Sequence, residues 1–292
     1  MMIDTIVAQA GIQGSAGKDS NIGQMLLDMG KITKVGADSI VALQAEKGLR
    51  FGEAAQQLGL VSASDIQQIL ASQFDYQYVQ ASQSQFDPSL VAALEPFGPE
   101  AEMLRALRGQ LTTRWFTGGH KALAVVAVDG NAAAGVVVAN LAIMFAQQGQ
   151  RTVLVDANMR TPRQLTLFHM QAKSGLSDAL AGRAPDWGVV PVAPFDNLSL
   201  LCAGPQPPNP YELLGRASFT VLNDELTRNF DVVLYDAPPF SAGSDAYAIT
   251  ARTRGALLVV SKNLSRQADV REISAQLQRS GVEIVGSVLV DF

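Results

Sequence analysis

ALAVVAVDGNAAAGVVVANLAIMFAQQGQRTVLVDANMRTP, running from Ala122 to Pro162, decides the fold. It reads as a buried strand (Ala122–Val128), a loop of small residues (Asp129–Gly135), a helix (Val136–Gln148) and a second buried strand (Arg151–Asp156). A short apolar run, a glycine-containing loop and a helix start together build a phosphate-binding turn. The loop N–H groups point inward, and the helix N-terminus adds a partial positive charge. The candidate nucleotide loop is therefore Gly130, Asn131, Ala132, Ala133, Ala134, Gly135 and Val136. One part of the device is missing. A loop of the form G-x-x-x-x-G-K-[ST] uses Lys on the terminal phosphates and a hydroxyl on magnesium. Counting back from Ala139-Asn140-Leu141-Ala142 puts Ala134 at the Lys position and Gly135 at the Ser/Thr position, and no Lys occurs from Ala122 to Ala172.

Further along, apolar runs alternate with helical patterns. Leu198–Cys202 reads as a strand, Gly204–Pro210 as a rigid proline-rich loop, and Tyr211–Asn229 as an amphipathic helix. Asp231–Tyr235 and Gly255–Ser261 are strongly apolar strands, Arg266–Ser280 is a helix, and Glu283–Val290 closes the sheet. This alternation predicts an α/β fold with a doubly wound, mostly parallel sheet. Asp156 and Asp236 then end two strands beside the first loop, at the crevice where open sheets bind ligands. An acid in that place suits a magnesium–water ligand of a nucleotide hydrolase, although Asp236 taken alone also reads as a loop cap.

Length and composition narrow the remaining choices. The 292 residues are enough for two domains, and 48% apolar with 17% charged residues is ordinary globular composition. The formal net charge of −5 gives no pull toward nucleic acid. A single Cys202 excludes an internal disulfide and fits a reducing compartment. The first twenty residues lack the pattern of a secretory signal and read as a flexible lead-in. No apolar stretch reaches the ~20 residues of a spanning helix, so a cytoplasmic protein without a membrane span of its own is expected.

The N-terminal part is a repeat: residues 21–44 match residues 50–73, with Gly30 aligned to Gly59 and Gln44 to Gln73. Each copy reads as a short helix, a glycine turn and a second helix capped near Thr33 or Ser62, and Ser62-Ala63-Ser64-Asp65 has the spacing of a capping box. Residues 81–98 lose the pattern, gain Gln, Ser and Pro, and are expected to be a linker with one short helix before a domain spanning 99–292. Pro99–Phe116 is a helix on which Glu102, Arg105 and Arg108 lie along one side. They form either a local ion pair or a clamp between subunits.

Two resemblances attach to these motifs. The repeat over residues 21–80 resembles the helical N-terminal domain of secretion and pilus ATPases, the MshEN type, some of which bind cyclic di-GMP. That likeness implies Asn21, Gly23, Gln44, Arg50, Gly52 and Gln73 as ligand contacts, with Arg50 stacking on guanine or pairing with phosphate. Asn21 departs from the Arg of that pattern, and Arg50 also reads as a plain surface residue. The rest of the chain resembles the bacterial tyrosine kinases of exopolysaccharide systems, the EpsG-type chain-length-determinant kinases. The Glu102-x-x-Arg105-x-x-Arg108 element, VLVDANMRTPR as a Walker A′ segment, GPQPPNPYELL as a Pro-Asn-Pro loop and VVLYDAPP as a Walker B segment carry the likeness.

That family implies a P-loop NTPase-like fold, ATP and Mg2+ as cofactors, and homo-oligomers held by Glu102, Arg105 and Arg108. It also implies a membrane polysaccharide co-polymerase as partner, bringing the protein to the inner membrane. Asp156 and Asp236 become the catalytic and metal residues, Asp156 orienting the attacking hydroxyl and Asp236 holding magnesium through water. The sequence departs from the family in its loop, in Asn158 where a second acid is expected, and in its five tyrosines, none clustered at the end. The expectation is a regulatory kinase-like component with impaired turnover. The alternatives are an active tyrosine autokinase or a cyclic di-GMP-responsive binding module without catalysis.

Overall fold

The structure, a computed structural model, describes residues 22–62, 65, 66, 69, 79, 85–130, 133–184 and 187–291. The expected flexible lead-in and Asn21, Gln73, Asn131 and Ala132 lie outside the described residues. The chain divides into two compact units, Met1–Gln77 and Tyr78–Phe292.

In the first unit, helix α1 covers residues 22–28, α2 covers Lys34–Lys47 and α3 covers Phe51–Gln57. Gly30 and Gly59 both take φ +66°, the left-handed turn that a side chain resists, so each copy reverses at its glycine. Thr33 Oγ1 accepts from Gly36 N, and Ser62 and Asp65 cap one another through Asp65 N to Ser62 Oγ and Ser62 N to Asp65 Oδ2. Leu26, Ile40, Phe51, Ala54, Ala55 and Ile69 form the core of this unit. Lys31 pairs with Asp65 at 2.8 Å, and this contact, with the Ser62 bonds, holds the Asp65 carboxyl down at about 2.

In the second unit, α4 is Val91–Leu94, α5 is Pro99–Arg114, β1 is Ala122–Ala127, α6 is Ala133–Gln147 and β2 is Thr152–Asp156. They are followed by α7 (Gln164–Leu167), α8 (Leu176–Leu180), β3 (Val189–Pro191) and β4 (Leu198–Leu201). Then come α9 (Pro210–Leu214), α10 (Ala217–Asn229), β5 (Val232–Ala237), α11 (Asp245–Thr253), β6 (Gly255–Ser261), α12 (Gln267–Arg279) and β7 (Glu283–Val290). The sheet runs β3-β4-β2-β5-β1-β6-β7, parallel throughout except for β3 against β4. β1, β2 and β5 are buried on both faces, as strands covered by helices on each side must be. Leu123, Val125, Leu154, Val232 and Leu234 pack under α4, α5 and α6. Alternate residues of the same strands pack with α10, α11 and α12 around Phe219, Tyr235 and Ile249.

Four expectations need correction. Residues 86–98 are packed rather than a linker: Leu90, Ala92 and Ala93 are fully buried, and Phe86 lies edge-on to Phe168. Buried Asn140 of α6 pins them, accepting from Ala92 N at 2.8 Å and donating to Ser89 O at 2.9 Å. The short helix expected there is present as Val91–Leu94, and its apolar residues pack against α6. Next, α6 begins at Ala133, so Ala133, Ala134 and Gly135 are helical rather than loop, in keeping with the strong helix preference of Ala. The helix read as Tyr211–Asn229 is broken in two at Gly215 and Arg216, where Arg216 turns to ψ 154°. Finally, Asp236 lies within β5 rather than after it.

Candidate functional site

Parallel pairing of β2 with β5 sets the site. Asp156 and Asp236 are direct register partners at the C-terminal end of the sheet. Side chains alternate along a strand, so Asp156 shares the face of Leu154, and Asp236 shares that of Leu234, under the start of α6. Both acids are nearly inaccessible, at 1% and 3%. Asp156 Oδ2 accepts from the backbone N–H groups of Arg163 and Gln164 at 3.1 and 3.0 Å, while its Oδ1 is buried without a hydrogen-bond partner among the described residues. Burial pushes the Asp156 carboxyl up against the pull of these backbone donors. It pushes Asp236 up further, with the neighbouring Asp156 charge adding to the effect and the Gln164 amide opposing it.

Gln164 is the residue that sequence reasoning missed. It is 0% exposed, and its Nε2 donates to Gly135 O at 3.1 Å and to Asp236 Oδ2 at 2.6 Å. Its only sequence signal is a polar residue at the start of a short helix, eight positions after Asp156. Asn158, which stands where the family resemblance expects a second acid, holds its own turn by accepting from Thr161 N at 3.2 Å. Asp129 anchors the loop entrance to the end of β6, its carboxylate accepting from the hydroxyls of Ser261 and Ser265. Arg160 leaves the crevice to pair with buried Asp245 at 2.6 Å.

Of the candidate loop residues, Gly130 is exposed, Ala133, Ala134 and Gly135 are buried in the first turn of α6, and Val136 is half-buried. A Cβ built on Gly135 would lie 3.2 Å from Asp236 Oδ2 and 3.4 Å from Gln164 Nε2. The described residues therefore do not fit a magnesium nucleotide. Ala134 carries no charge for phosphate, Gly135 no hydroxyl for metal, and the Walker B acid is already engaged. Among the described residues no cluster of three or more His, Cys, Asp or Glu could hold a metal ion.

The other predicted residues have local duties. Glu102 pairs with Arg105, whose Nη2 also donates to Pro96 O at 2.7 Å, and Arg108 Nη1 donates to Met144 O at 3.0 Å. These bonds lie within one subunit and fasten α5 to its neighbours. In the first unit, a Cβ on Gly23 would meet the Phe51 ring at 3.1 Å, and one on Gly52 would meet Ile66 at 3.3 Å. Both glycines thus permit close packing in equivalent places of the repeat. Gln44 Nε2 donates to Leu49 O at 3.3 Å across the spacer, and Arg50 is exposed, with its backbone N donating to Glu53 at 2.9 Å.

A cavity of about 330 Å3 opens at the opposite pole of the sheet, lined in part by His120, Lys121, Arg252 and Arg254. Lys121 Nζ there donates to Thr227 O and Phe230 O, so this cation serves the C-terminal end of α10.

No protein-family model matches the chain. By sequence, the tyrosine-protein kinase YwqD of Bacillus subtilis strain 168 is 27% identical over 206 residues, covering 70% of this chain and 87% of that kinase. The tyrosine-protein kinase etk of Escherichia coli K12 is 30% identical over 200 residues, covering 68% of this chain but 27% of that longer protein. In space, the kinase domain of Escherichia coli tyrosine kinase ETK superposes with a TM-score of 0.68 at 26% identity, covering 73% of this chain and 84% of that domain. The homologues are bacterial tyrosine-protein kinases. The likeness extends to a P-loop NTPase-like doubly wound fold. Among the described residues, no helix is long and apolar enough to cross a membrane.

Proposed function

We propose that this chain is a kinase-like regulatory component of exopolysaccharide biosynthesis and export, acting in chain-length control, with impaired nucleotide turnover of its own. In this reading it is a cytoplasmic homo-oligomer, recruited to the inner membrane by a membrane polysaccharide co-polymerase. The observation that carries the reading is the contrast inside one crevice. Asp156 and Asp236 stand in register at the end of the sheet, while Ala134 and Gly135 occupy the Lys and Ser/Thr positions. Loss of one charge-assisted phosphate contact removes about 1.5–3 kcal/mol of binding. Loss of a transition-state donor slows reaction by a factor of about 10²–10³. Both losses fall on the same substrate.

The test is calorimetric titration of the chain with magnesium-ATP, followed by immunoblotting for phosphotyrosine. The expected result is no ATP heat and no phosphotyrosine from the wild type. Tight ATP binding and phosphotyrosine from the wild type would return the chain to the active autokinases, the reading that its two retained acids favour.

A further inference from the structure

In a P-loop protein the metal ion lies between the Ser/Thr hydroxyl of the loop and the acid of the Walker B strand. The corresponding positions here are Gly135 and Asp236, and the space between them is filled by the chain itself. Gln164 reaches in from the arm after β2 and bridges Gly135 O and Asp236 Oδ2 through one amide nitrogen, at 3.1 and 2.6 Å. Its backbone N–H bonds Asp156 Oδ2 at 3.0 Å, so this single residue touches the loop and both acids. A Cβ at position 135 would stand 3.4 Å from that nitrogen, and the bare glycine leaves the amide its room.

The geometry points to Gln164 as a built-in replacement for the metal ion, an amide tie that closes the crevice to divalent cations. The idea shares with the proposed function the placing of Gly135 at the Ser/Thr position. An amide NH2 carries two donors and no charge, so it satisfies a carbonyl and a carboxyl oxygen together. A divalent cation in the same place needs oxygen ligands on several sides and ionised carboxylates in a buried pocket. In nucleotide switches, metal and phosphate draw such elements together only while they are bound. A tie made of the chain's own residue holds the loop, the arm and the Walker B strand together permanently. That suits a scaffold rather than a cycling enzyme.

The test uses the full chain with Mn2+ alone, followed by the electron paramagnetic resonance of free Mn2+. The wild type is expected to bind none at the crevice. Gln164→Ala is expected to bind Mn2+ at least tenfold more tightly than the detection limit set by the wild type, and adding Asp236→Asn is expected to abolish the gain. Gln164→Met, which fills the space without a donor, is expected to melt lower without gaining Mn2+. If Gln164→Ala does not fold, the wild type decides through the Gln164 side-chain amide signals, assigned by their loss in Gln164→Met. Signals that stay sharp under Mn2+ support the tie, and broadened signals overturn it. Equal Mn2+ binding by the wild type and Gln164→Ala, or a folded Gln164→Ala without any gain, also overturns it. Those outcomes leave the proposed function standing, since phosphotyrosine from the wild type is a separate readout.

Discussion

The two sides of the crevice are built differently. On the strand side, Asp156 and Asp236 remain in register, buried and held by backbone and amide donors. On the loop side, Ala134 and Gly135 have no polar side chain and have joined the first turn of a buried helix. The difference teaches which changes a packed site tolerates. A loop Lys or Ser projects toward ligand, and its loss leaves no unpaired partner in the protein. A buried acid is tied into the fold through its donors, so removing it strands those donors at about 1–3 kcal/mol each.

The largest effect should come from the helix that bears the loop side. Asn140→Ala removes bonds to Ala92 N and Ser89 O and loosens residues 86–98 on α6, where Gln147 Nε2 still donates to Ala92 O. The substitution should cost about 2–6 kcal/mol in urea denaturation, the sum of two groups left unpaired at about 1–3 kcal/mol each. A loss below ~1 kcal/mol would mean that the frame does not depend on this clamp.

The strand side can be probed by pH. Folding raises the Asp236 carboxyl to about 8 and that of Asp156 to about 6, burial being the first cause of both. Between the ordinary carboxyl range and about 8 the folded chain thus binds more protons than the unfolded one, and stability falls as pH rises. Melting temperature should decline as pH rises across this window, and Asp236→Asn should flatten the upper part. A flat wild-type profile would show that the acids are ionised and better solvated than their burial implies.

The smallest effect is expected at Glu102, whose ion pair with Arg105 is solvent-exposed on the acidic side. Glu102→Ala should change stability by only about 0.2–1 kcal/mol. Analytical ultracentrifugation of that variant separates the two duties of the motif. If the homo-oligomer of the proposed function dissociates without a change in melting, Glu102 works between subunits; an unchanged oligomer confines it to α5.

Much of this was legible in the amino-acid pattern because burial leaves a one-dimensional trace. ALAVVA, VLV and VVLY are apolar throughout, as strands covered on both faces must be, and Ala134 and Gly135 are read off the sequence by counting alone. The helical repeat announced its turns through Gly30 and Gly59. Three things were decided only in space: the docking of residues 86–98 on α6, the pairing of Arg160 with Asp245, and the bridge from Gln164 to Gly135 and Asp236. Each joins residues at least 29 positions apart, and Gln164 and Asp236 are 72 apart. Local pattern reports which side of an element is buried. Which buried polar groups meet depends on strand order and register, and these exist only once the sheet has formed.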